Sequence, residues 1–249
     1  MEKQLNVHFI VHEYFEGPGA LLTWVNGNNY KASYSRVYLQ EPLPHDAQDI
    51  DVLVVLGGPQ SPATTTTECR HFNKEHETHF IKQCIDANKA VIGVCLGAQL
   101  IGEALGAAFA NSPHREVGYY PIHLTPEGRN NAKLTHFSTQ EIVGHWHNDM
   151  PGLTTKSKVL ATSQGCPRQI VEYSPLVYGF QCHLEFTHET LAPLIENAIT
   201  DITQANVDDY VQQPEQIMAH EHQSMNHLIT RFMDKLVEAY QRTNKRLER

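Results

Sequence analysis

Positive charge is scarce in this chain: 19 Lys and Arg stand against 28 Asp and Glu, for a formal net charge of -9 and a pI near 5.9. Binding a phosphate backbone calls for a basic stripe. The only cationic cluster, Lys245, Arg246 and Arg249, reads as a helix end favoured by its dipole, so no nucleic-acid partner is expected. Cysteine is also sparse. Cys69, Cys84, Cys95, Cys166 and Cys182 are odd in number and lack paired spacing, which suggests neither a disulfide framework nor a CxxC metal site. No apolar run approaches the roughly 18 residues that span a bilayer, and Met1 to Leu5 lacks a secretory h-region. The expected setting is soluble, reducing and cytoplasmic, with no membrane partner. There is no GxxxxGK[ST] phosphate loop, and no repeat or low-complexity tract.

Histidine is plentiful at 16 residues. His145-Trp146-His147 and His220-Glu221-His222 invite a metal reading, but strand alternation explains the first pair and neither has a recognised ligand spacing. No metal and no cofactor are expected, and most other histidines are read as surface residues.

The 41% hydrophobic content is ample for a core. Asn6 to His12 reads as a strand, closed by Gly17-Pro18-Gly19 before a helix from Ala20. Ser35 to Leu39 reads as a second strand and Val52 to Leu56 as a buried third, stopping at Gly57-Gly58-Pro59. Thr64 to Glu68 leads into an expected helix carrying Phe72, His76, Phe80, Ile81, Cys84 and Ile85, followed by the buried run Ala90 to Val94. This alternation predicts an α/β fold, a doubly wound, mostly parallel sheet with helices on both faces and ligands at the strands' carboxyl ends. Short strands at Val117–Leu124, Glu141–Trp146, Val159–Ser163, Gln169–Tyr173 and Val177–His183 predict an antiparallel extension. Two helices close the chain. One has Thr190 as its cap and Pro193 in its first turn; the other carries the stripe Leu228, Ile229, Phe232, Met233, Leu236, Val237 and Tyr240. The expected division is a domain over 1–205 and a C-terminal helical extension over 206–249, packed on the same domain.

The most telling segment is Gly93-Val94-Cys95-Leu96-Gly97-Ala98-Gln99. It sets a cysteine at an abrupt strand-to-helix join, with glycines beside it to relieve crowding. At a helix N-terminus its thiolate is favoured, although a buried structural cysteine would read the same way in isolation. A nucleophile needs a base and an orienting group. Gln181-Cys182-His183-Leu184-Glu185 offers both, because residues i and i+2 of an extended segment share a face.

Together with Gly57-Gly58-Pro59, His147-Asn148-Asp149 and Tyr178-Gly179-Phe180, these segments make residues 5 to 200 resemble the class I, triad-type glutamine amidotransferases of flavodoxin-like fold. Within that family the chain is most similar to the glutaminase domain of GMP synthetase and its stand-alone relatives. The resemblance implies a Cys95, His183, Glu185 catalytic set, an oxyanion hole from the amides of Gly58 and Leu96, and substrate contacts from Gln99, Trp146, His147 and Asn148. It implies attack on glutamine or another γ-glutamyl compound, with a thioester formed and ammonia released, and a possible separate synthetase subunit to use the ammonia. The alternatives are a stand-alone γ-glutamyl peptidase and a non-catalytic regulatory subunit. The chain departs from the family's habits at Gln60, Ala90, Cys182 and Leu184; a missing proline at 184 implies a less rigid His183-to-Glu185 geometry.

Overall fold

The computed structural model describes residues 4–247. Strand β1 (Asn6–Val11) leads to helix α1 (Ala20–Gly27), then β2 (Lys31–Arg36) and a short 3-10 turn at Val37–Leu39. The second strand therefore lies earlier than Ser35–Leu39. It pairs with β1 from Asn6 and Lys31 to Val11 and Arg36, where the Arg36 amide and guanidinium donate to Glu41 at 2.8 and 3.0 Å and turn the chain out of the sheet. Next come β3 (Val52–Val55), α2 (Lys74–Asp86), β4 (Ala90–Val94) and α3 (Leu96–Ala104). Helix α2 begins well after Thr64, because Asn73 caps it by accepting from the His76 amide at 3.0 Å. Thr64 and Thr65 are instead held in turns by side-chain hydrogen bonds.

The second half comprises β5 (Ala110–Leu124), α4 (Pro126–Arg129), β6 (Gln140–Met150), β7 (Lys158–Thr162), β8 (Ile170–Ser174), β9 (Val177–Phe180), α5 (His188–Asn197), α6 (Ile199–Thr203), β10 (Tyr210–Val211), α7 (Pro214–Met218) and α8 (Gln223–Leu247). Ten strands form one sheet in the order β10-β5-β7-β8-β9-β4-β3-β1-β2, with β6 also on β5. The run β9-β4-β3-β1-β2 is parallel; β6, β5, β7, β8 and β9 are joined by antiparallel pairings. The fold is thus an α/β sheet of the expected kind, with an antiparallel part.

Alternate residues of the parallel strands enter two cores. Phe9, Val54 and Ile92 pack towards α1 and α8, and Ile10, Leu53 and Val91 towards α2 and α3. The stripe of α8 lies in the first core, where Phe232 meets Tyr178 and Phe180 edge-on at 5.0 and 4.9 Å. Two further expectations need correction. Strand β9 stops at Phe180, three residues short of His183. Helix α5 is capped by Thr187 in a reciprocal pair with Thr190, which places Pro193 inside the helix. Burial of Leu191 and Leu194 offsets the hydrogen bond that proline forgoes.

Candidate active site

Register decides which chain ends meet. Val55 of β3 lies beside Gly93 of β4, and Val94 of β4 beside Phe180 of β9. The carboxyl ends of three neighbouring parallel strands therefore bring Gly57-Gly58, Cys95 and the segment after Phe180 to one place.

Cys95 occupies the sharp turn between β4 and α3 with φ 51° and ψ -111°, a left-handed conformation that costs a non-glycine residue about 1–3 kcal/mol. The surroundings enforce it. Its amide donates to the Phe180 carbonyl at 2.7 Å, and a Cβ on Gly97 would fall 2.0 Å from the Val55 carbonyl oxygen, so strand and helix can pack this closely only at glycine. The thiol is buried, 3.6 Å from the Trp146 carbonyl oxygen and 3.4 Å from Gln181 Nε2, whose side-chain oxygen accepts in turn from Gln99 at 3.1 Å.

His183 and Glu185 come together as a bonded pair, with Nδ1 2.7 Å from Oε1. The opposite nitrogen, Nε2, is buried with no hydrogen-bond partner among the described residues. The imidazole stacks on Phe186 at 4.1 Å and 11°. Because the strand has ended, other bonds fix this segment. His183 exchanges backbone bonds of 2.7 and 3.0 Å with Gly144, Glu185 O accepts from the Ala20 amide at 2.9 Å, and Asn226 of α8 donates to the carbonyls of Leu184 and Phe186 at 2.7 and 2.9 Å. The slack implied by leucine at 184 is taken up by a clamp from a distant helix.

Burial pushes the Cys95 thiol above its ordinary range, while His183 opposes that shift. Burial would likewise depress the imidazole, but the Glu185 carboxylate and Cys95 outweigh it and hold His183 at about 10. Charge on either partner is tolerated here only when the other carries the opposite charge.

Sequence reasoning missed three contributors. Glu16, just before the Gly-Pro-Gly turn, brings its carboxylate so close that a Cβ on Gly57 would meet Glu16 Oε2 at 2.2 Å and the Cys95 Cβ at 3.5 Å. Burial raises its pKa to about 7, against the pull of His183 and His12. The second is His12, buried with Glu77 rather than lying at the surface. Its Nδ1 is 2.9 Å from the Gly57 carbonyl oxygen and its Nε2 is 2.8 Å from Glu77 Oε2. A trans peptide sets its carbonyl and amide on opposite sides, so holding Gly57 C=O also orients the Gly58 N–H. That amide makes no hydrogen bond among the described residues. The third contributor is Arg115, from β5.

Glu16 and Arg115 border a cavity of about 360 Å³ lined in part by Cys95, Gly58, Gln99, Trp146, His147 and Asn148. Gln99 Oε1 is buried there without a partner among the described residues. Trp146 ties its indole to Asp201 at 2.9 Å, and Arg115 donates to the Asp201 carbonyl at 2.9 Å. His147 does less at the cavity than its position suggests, since its Nε2 faces Glu116 and Gln169 at 3.2 and 3.1 Å. The same Gln169 amide reaches His145 and Glu116, and Ser163 and Gly165 complete the bonds to Glu116, so the His145-Trp146-His147 pair belongs to a buried polar network.

The family description "Glutamine amidotransferase class-I" matches residues 26–201. This chain belongs to that family. It is 50% identical over 236 residues to the glutamine amidotransferase-like protein YfeJ of Salmonella typhimurium, covering 95% of this chain and 99% of that protein. The crystal structure of SMU.1228c superposes with a TM-score of 0.91 at 45% identity, over 93% of this chain and 99% of that one. GMP synthase of Vibrio atlanticus is 27% identical over 65% of this chain, which spans only 33% of that protein's length. As a class I glutamine amidotransferase the chain is an enzyme of glutamine hydrolysis, and no helix among the described residues is long and apolar enough to cross a membrane.

Proposed function

We propose that the cavity binds glutamine or another γ-glutamyl compound and that Cys95, His183 and Glu185 cleave its γ-amide. With His183 held at about 10, the Cys95 proton already rests on His183 Nε2, and the sulfur adds as the thiolate to the γ-carbonyl carbon. The resulting oxyanion is received by the amides of Gly58 and Leu96, a donor pair of which one member is worth about 3 kcal/mol in the barrier. Collapse breaks the C–N bond, and the His183 proton leaves with the ammonia or amine. His183 then takes a proton from water, whose oxygen attacks the γ-glutamyl thioester; glutamate departs and the Cys95 thiolate again faces protonated His183. Glu185 holds the imidazole in the tautomer that presents Nε2. The observation that carries this reading is that buried, unpartnered Nε2, backed by the 2.7 Å bond to Glu185.

Gln99, Trp146, His147 and Asn148 are assigned to the amino-acid end of the substrate, Gln99 through its unpartnered Oε1. Arg115 suits the carboxylate of that end, and Glu16, Asp149 and Asp201 offer charge for its ammonium. Residues 1–205 carry the chemistry and 206–249 form an extension on the same domain. That extension turns its apolar stripe to its own chain, which removes the motive for a purely regulatory role. A separate synthetase subunit would consume the ammonia; without one the enzyme acts alone as a glutaminase or γ-glutamyl peptidase. Parallel assays of ammonia and glutamate release from glutamine and from γ-glutamyl dipeptides test the reading. Glutamate from at least one donor is expected, and none with Cys95→Ser; equal turnover by that variant removes Cys95 from the mechanism.

A further inference from the structure

Beside the cavity, two loops meet through side chains the hydrolytic chemistry does not use. Glu13 follows β1, while Cys69 and His71 precede α2. His71 Nε2 is 2.9 Å from Glu13 Oε1 and 3.3 Å from Cys69 Sγ. One carboxylate oxygen, one thiol sulfur and one imidazole nitrogen thus converge, each from a partly exposed residue that solvent can reach. The side-chain nitrogen of Gln60 stands among them, 2.7 Å from Glu13 Oε1, 3.4 Å from His71 Nε2 and 3.5 Å from Cys69 Sγ. The other end of that amide, Oε1, is buried without a hydrogen-bond partner.

We propose that Glu13, Cys69 and His71 form a site for a zinc-class divalent cation, with the Gln60 side-chain oxygen as fourth ligand. A tetrahedral ion with bonds of about 2.0–2.3 Å needs its ligand atoms roughly 3.3–3.6 Å apart, so the Glu13–His71 and His71–Cys69 separations need open by only a few tenths of an ångström, and all three ligand atoms already lie within 4.8 Å of one another. Thiolate, imidazole and carboxylate are the donor set zinc prefers among biological divalent ions. In the metal-free protein the Gln60 amide nitrogen fills the place of the ion. When the cation enters, Cys69 gives its proton to solvent, and a half-turn of the Gln60 amide replaces its donations to Glu13 and Cys69 with one oxygen-to-metal bond that uses the orphaned Oε1. No short sequence spacing signals this site, because its ligands come from two loops and only the fold brings position 13 to positions 69 and 71.

The second His-containing cluster supplies a contrast. Glu116, His145 and His147 also lie close together, but the partners of Glu116 are already complete and the cluster contains no sulfur.

The test uses full-length, reduced, chelator-treated protein carrying Cys95→Ser, which removes the thiol of the hydrolytic site, titrated with cobalt and then zinc. The expected result is one equivalent of cobalt with a near-ultraviolet thiolate-to-cobalt charge-transfer band, displaced by zinc. Adding Cys69→Ser abolishes the band and, like His71→Gln, weakens zinc more than about tenfold. Absence of a thiolate band in the Cys95→Ser protein, or a band and zinc affinity unchanged by Cys69→Ser, overturns the proposal. Cobalt bound without the band would place the metal at a sulfur-free cluster and count equally against it.

Discussion

Glu16 makes the site pH-sensitive at the level of a single residue. Its carboxyl is held at about 7 by burial beside Cys95, against 4.5 for an ordinary glutamate. An acid whose folded pKa is raised binds more protons folded than unfolded, so stability falls as pH rises from about 4.5 through about 7. Glu16→Gln should therefore be more stable than the parent protein at pH 8 by about 1 kcal/mol, moderated by solvent in the cavity, with no gain at pH 4; thermal melts at the two pH values check this. A step in kcat/KM near pH 7 is expected from the same group and should be absent from Glu16→Gln, as a pH–rate profile would show. Glu77 acts one contact further away. Glu77→Gln weakens the hold of His12 on the Gly57–Gly58 peptide and should cost about tenfold in kcat with KM nearly unchanged, as steady-state kinetics would show. The elbow at Cys95 and the His183–Glu185 pair were legible in the sequence because each is marked by near neighbours, glycines around the cysteine and an i, i+2 pair on one segment. Glu16, His12, Glu77 and Arg115 were not, since they arrive from the β1–α1 connection, helix α2 and strand β5 and carry no local pattern.

Among elements, α8 bears on the chemistry without lining it. Asn226 holds the carbonyls on both sides of Glu185, which allows an irregular segment to keep a 2.7 Å His183–Glu185 bond with leucine rather than proline between them. Asn226→Ala should lower kcat about tenfold while leaving KM within about twofold, and destabilise by about 1–3 kcal/mol for two unpaired buried carbonyls; kinetics paired with denaturant unfolding measure both. The parallel strands were readable from apolar runs, while sheet order and element ends were not. Phe180 ends β9 early because His183 turns to pair with Gly144, and Thr187 rather than Thr190 caps α5 because either threonine satisfies the pattern and only the fold chooses.

At the scale of the whole molecule, the extension and the sheet share one core, since Phe232 packs on Tyr178 and Phe180 of β9, the strand that delivers His183. Phe232→Ala should destabilise by about 3–5 kcal/mol in a single unfolding transition, and calorimetry that resolved a separate transition for α8 would contradict the shared core. In the proposed mechanism the elbow, the Gly57–Gly58 loop, the Asn226 clamp and the cavity all serve one sulfur atom. The most direct test is therefore acid quenching during glutamine turnover followed by mass analysis of the Cys95 peptide. A single γ-glutamyl group on Cys95 that disappears on alkaline treatment, and is absent from Cys95→Ser, is the predicted result. Continued turnover with Cys95 unmodified under single-turnover conditions would contradict it.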